Sequence, residues 1–67
     1  MPKLTVNGES HQVDGVDTIA ELLNLLAVNT QNLVVELNGQ VLPPERYPGQ
    51  PVHDGDELEL VRFVGGG

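Results

Sequence analysis

The residue pattern predicts an α+β fold, a mixed sheet of about four to five strands with one main helix packed on one face. Three observations carry that expectation. Apolar alternating runs twice lead into an Asn-Gly pair, at Asn7-Gly8 and at Asn38-Gly39. The stretch from Thr18 to Leu26 holds the start signal and the apolar spacing of an amphipathic helix. A last alternating run, Glu57 to Val64, stops at Gly65, Gly66 and Gly67.

Each element follows from local chemistry. Leu4 and Val6 alternate with polar neighbours, and Asn7-Gly8 tolerates the positive φ that a two-residue hairpin turn needs. A short polar return strand runs from Glu9 to Val13 and closes at Asp14-Gly15. Thr18-Ile19-Ala20-Glu21 is a capping box, in which the Thr18 hydroxyl and the Glu21 carboxylate satisfy opposite backbone donors. Ile19, Leu22, Leu23 and Leu26 then form one apolar stripe. The helix is expected to fade between Val28 and Thr30. Leu33 to Leu37 is a β-rich run ending in the second Asn-Gly, and Val41-Leu42 pair with it before Pro43-Pro44 ends the ladder. Pro48, Gly49 and Pro51 make the segment from Glu45 to Val52 a loop or a short helical turn. Asp54-Gly55-Asp56 turns the chain into its last strand. The order strand-strand-helix-strand-strand, with one helix across a mixed sheet, is the β-grasp, or ubiquitin-like, arrangement. Residues 1–67 read as a single domain, with 64–67 a flexible tail.

Composition narrows the function classes. A chain of 67 residues hides only roughly 60% of its unfolded surface, which leaves little room for a deep cleft. Ten acidic residues against three basic ones give a net charge of −7. Nucleic acid is therefore not an expected partner, because phosphate neutralisation needs Lys and Arg. The charge either keeps a small domain soluble and monomeric or steers it towards basic protein surfaces. Cys is absent, which fits a reducing compartment, and no run is long enough to span a membrane. The expected location is cytoplasmic.

No catalytic constellation emerges, and no metal or cofactor is expected to bind this chain. His11 and His53 are isolated, Ser10 lacks a neighbouring base, and no Gly-rich loop joins a strand to a helix. Asp54 and Asp56 flank a turn glycine and fall short of the oxygen ligands a calcium loop needs.

The glycine tail reads in two ways. It is a functionless end, as Gly-rich termini often are, or it presents the Gly67 carboxylate on a thin arm without side chains. A free carboxylate is a poor electrophile until a partner converts it to an acyl-adenylate. With no Cβ crowding the acyl carbon, a sulfur nucleophile then has clear access. The final strand bears on the choice. If Leu58 and Leu60 face the helix, then Glu59, Val61 and Phe63 face away, as do Val34 and Glu36 if Leu33, Val35 and Leu37 point inward. Val34, Val61, Phe63 and Val64 then form an outer apolar path to the tail, either a docking surface or a patch covered by the loop from Pro43 to Val52.

Taken together, LTVNG at Leu4–Gly8, the helix from Thr18 to Leu26, VVELNG at Val34–Gly39, Asp54-Gly55-Asp56 and the Val64–Gly67 terminus resemble the ThiS-type sulfur carriers of thiamine biosynthesis. The resemblance covers essentially the whole chain. It implies a protein cosubstrate and not an enzyme. A ThiF-like adenylating enzyme would use ATP and magnesium to activate Gly67. A sulfurtransferase or cysteine desulfurase would then supply persulfide sulfur to give a thiocarboxylate, and thiazole synthase would take that sulfur. Gly66 matches the second glycine of the family's terminal pair, and Gly65 is an extra one before it. Related branches share the Gly-Gly end: MoaD-type subunits of molybdopterin synthase, carriers for tRNA thiolation and ubiquitin-like modifiers.

Overall fold

The computed structural model describes residues 2–63. Its elements are β1 (Lys3–Val6), β2 (Glu9–Gln12), α1 (Ile19–Leu25), β3 (Leu33–Leu37), β4 (Gln40–Leu42), a 3₁₀ helix (Pro44–Gly49) and β5 (Glu57–Arg62). The five strands form one sheet in the order β2-β1-β5-β3-β4. β1 and β5 run parallel in the middle, and the remaining pairs are antiparallel. This is the β-grasp.

Both hairpins turn as their sequences predict. Asn7 and Gly8 have φ of 50° and 80°, and Asn38 and Gly39 have 51° and 85°. Two consecutive positive φ values give the primed turn whose twist matches the flanking strands. The asparagine side chains do more than tolerate the turn. Asn7 Oδ1 accepts a bond from the Leu60 N–H at 2.7 Å, and Asn38 Oδ1 accepts from the Glu57 N–H at 2.9 Å. Each hairpin tip is thereby stitched to β5, the central strand.

The helix begins on its capping box. Thr18 Oγ1 accepts from the Glu21 N–H at 3.3 Å, and Glu21 Oε1 accepts from the N–H groups of Thr18 and Asp17 at 3.2 and 2.7 Å. It ends earlier than its apolar stripe suggests, at Leu25, with Leu26 as the C-cap and Ala27 in the left-handed region at φ 57°. The Ala27 N–H donates to the Asn24 carbonyl and the Val28 N–H to that of Leu23, which closes the last turn. Leu26 and Val28 still pack against the core from outside the helix.

Ile19, Leu22 and Leu23 meet Leu4, Val6, Val35 and Leu58 between helix and sheet. The 3₁₀ helix closes one end by burying Tyr47. The segment after it is held to the start of α1 by Ile19 N–H to the Gln50 carbonyl and Val52 N–H to that of Asp17, both 2.9 Å. The core therefore lies on one side of the sheet, and no element among the described residues covers the opposite side.

Candidate functional site

Alternation along β3 and β5 decides what that open side displays. Leu33, Val35 and Leu58 are buried towards α1, and Leu37 and Leu60 pack against the same core. Side chains of opposite parity point away. Val34 lies directly opposite Val61, and Glu36 directly opposite Glu59. Val61 is 48% exposed and Phe63 is 51% exposed, and Val34 is half-buried. The expected outer position of Val34 and Val61 is thus observed, and the 43–52 segment does not cover them.

Val41 joins the same face, a position not among those expected from the alternation of β3 and β5. It is 66% exposed and pairs with Glu36 across the second hairpin. The signal was available: a two-residue turn sets Leu37 opposite Gln40, which puts Leu42 on the side of Val35 and Val41 on the side of Glu36.

The end of β5 is fastened to the α1–β3 connection. The Phe63 N–H donates to the Asn32 carbonyl at 3.0 Å, one residue past the strand. Arg62 Nη1 donates to the Gln31 carbonyl at 2.8 Å, and the Gln31 N–H donates to Asn29 Oδ1 at 2.9 Å. Asn32 itself sits at φ 58°. The chain therefore leaves the sheet at a fixed point beside Val34 and Val61. Val64, Gly65, Gly66 and Gly67 lie outside the described residues.

The other titratable candidates are occupied with structure. Asp54 Oδ1 accepts the Lys3 backbone N–H at 2.7 Å. Asp56, only 8% exposed, accepts from Asn38 Nδ2 at 3.1 Å and from the His53 N–H at 2.8 Å. Gly55 at φ 89° makes the turn between them. His11 stands on β2 opposite Leu4, and His53 lies outside the strands, just before the turn at Asp54 and Gly55. Among the described residues no three His, Asp or Glu side chains gather as a metal site, and no helix is long and apolar enough to cross a membrane. A cleft of 440 Å³ beside β4 is lined by Leu37, Val41, Pro43 and Arg46 among others, with no acid–base pair in its wall.

The ThiS family model matches residues 4–67. The crystal structure of a thiamine biosynthesis protein, ThiS, from Geobacter metallireducens superposes with a TM-score of 0.84 at 44% identity, covering 97% of this chain and 99% of that one. The sulfur carrier protein ThiS of Thermus thermophilus is 32% identical over 62 residues, which is 92% of this chain and 95% of that protein. A thiazole synthase of Paramagnetospirillum magneticum is 40% identical over 65 residues. That match takes in 97% of this chain but only 20% of the synthase, so this chain spans about a fifth of that relative's length.

Proposed function

The chain belongs to the ThiS family, and on that premise we propose that it is a sulfur carrier protein for thiazole formation in thiamine biosynthesis, with the Gly67 carboxylate as its working group. It acts as a cosubstrate. A ThiF-like adenylating enzyme, with its own ATP and magnesium, joins the Gly67 carboxylate to AMP and releases pyrophosphate. Persulfide sulfur from a sulfurtransferase or cysteine desulfurase then attacks the acyl carbon and expels AMP. A thiol cleaves the resulting acyl disulfide to leave the thiocarboxylate, whose sulfur passes to thiazole synthase.

The observation that carries the reading is the family match, which continues through the glycine run to residue 67. The open sheet face supports it. Val34, Val61 and Phe63 lead to the point where the chain leaves the sheet, and Val64 continues the path in sequence. Such a face suits an enzyme that must hold the domain while threading the glycines into its active site. A glycine arm has the most conformational freedom to lose on ordering, so the docking face has to supply the binding energy. A synthase that contains a stretch 40% identical to this chain supports thiazole synthase as the partner that takes up the sulfur.

Incubation with a ThiF-like enzyme, ATP, magnesium and a persulfide donor tests the proposal by intact mass. The expected result is the gain for one oxygen replaced by sulfur. An unchanged mass, with Gly67-dependent conjugates on lysines of other proteins, would instead support a ubiquitin-like modifier.

A further inference from the structure

The outer sheet face carries a charge arrangement that folding alone does not favour. Glu36 and Glu59 are directly opposite each other on the two antiparallel strands β3 and β5. Glutamates so placed lie roughly 5 Å apart at Cβ and repel. Glu57, two residues before Glu59, extends the same negative row towards β1, where it faces Thr5. The apolar side chains are interleaved with this row. Val41 flanks Glu36 on one side, and the Val34–Val61 pair lies one step along the strands.

The chain's own cations do not answer the pair. It has three basic side chains. Lys3 begins β1 and is two residues before the Thr5–Glu57 contact, away from Glu59. Arg62 shares the register of buried Leu33 and donates to the Gln31 carbonyl. Arg46 stands on the 3₁₀ helix, where it lines the cleft beside β4 together with Val41. Neither Glu36 nor Glu59 has an ion-pair partner among the described residues.

We propose that the adenylating partner sets an arginine or lysine over the Glu36–Glu59 pair while its apolar surface covers Val34, Val61 and Val41. This rests on the docking reading above and states what the docked surface must look like: an apolar centre with a cation placed between two strands of the carrier. Two carboxylates side by side match the paired donors of a guanidinium better than the point charge of an ammonium, so arginine is the better fit. Repulsion in the free domain then becomes attraction in the complex, and the pair discriminates against partners without the cation.

Glu59→Lys separates this role from a purely solubilising one. In the free domain the substitution turns a repulsive cross-strand pair into an attractive one, and the thermal midpoint should rise. Binding to a ThiF-like adenylating enzyme should move the other way, with association at low salt about tenfold slower and its salt dependence reduced. Glu59→Gln should give a smaller change of the same sign. Glu45→Lys on the 3₁₀ helix makes the same change of net charge away from the face and should leave binding unaltered. Val61→Asp provides the second arm. If Val61→Asp weakens binding and Glu59→Lys does not, the docking face stands and the cation is refuted. If neither changes binding, or the unsubstituted chain does not bind, both readings fall together.

Discussion

Phe63 and Tyr47, the only Phe and the only Tyr in the chain, stand at opposite ends of the burial scale. Phe63 is half exposed where the chain leaves the sheet, so replacing it costs little of the core. Phe63→Asp should leave the far-ultraviolet circular dichroism and the thermal midpoint close to those of the parent. Affinity for the adenylating enzyme should fall by about tenfold or more, as for an aromatic anchor at an interface. Equal affinity in a folded Phe63→Asp variant removes this residue from the docking face. Tyr47 is buried, and desolvation of its phenol raises its pKa from the ordinary 10.0. The fold keeps the neutral form. Its contribution is therefore whole below pH 10.0 and declines as the pH rises through the folded-state value. Tyr47→Phe should show a shallower loss of stability above that pH than the parent, followed by thermal melts across the alkaline range. Identical alkaline slopes would assign that loss to other groups.

Element ends that carry a chemical signature are readable from sequence. β3 and the start of α1 show this best, because Asn38-Gly39 and the Thr18–Glu21 box each specify one local geometry. Thr18→Ala should lower stability by about 1 kcal/mol in denaturant titrations, the usual worth of a hydroxyl N-cap. The end of α1 was not readable. Leu26 continues the apolar stripe and no glycine follows, yet Ala27 takes the left-handed conformation that glycine more commonly supplies. The 3₁₀ helix was expected only as a loop or turn, and nothing local marked Tyr47 as core, since its burial comes from contacts distant in sequence. Nor does an Asn-Gly pair reveal that its side chain will reach the central strand. Asn38→Gly keeps the turn conformation and removes only the bonds to Glu57 and Asp56. It should cost about 1–2 kcal/mol, and a loss below a few tenths would show those bonds to be replaceable by water.

Across the whole molecule, the order of elements implies a mixed sheet with one covered face, and that much is legible in the sequence. The strand order was less so. The parallel β1–β5 contact joins Thr5 to Glu57 across most of the chain, and no local residue pattern reports such a pairing. The outer face was half legible: alternation located Val34 and Val61, and Val41 required the hairpin register to be followed one step further. The resulting division of labour is simple. One face of the sheet and the helix make the core, and no element among the described residues covers the other face. The most direct test follows the sulfur itself. The thiolated chain should be fragmented by tandem mass spectrometry after the adenylation reaction. Sulfur should be confined to the fragment ending at Gly67, with none in a variant lacking Gly67. Sulfur on any other residue, or thiolation that survives loss of Gly67, would contradict it.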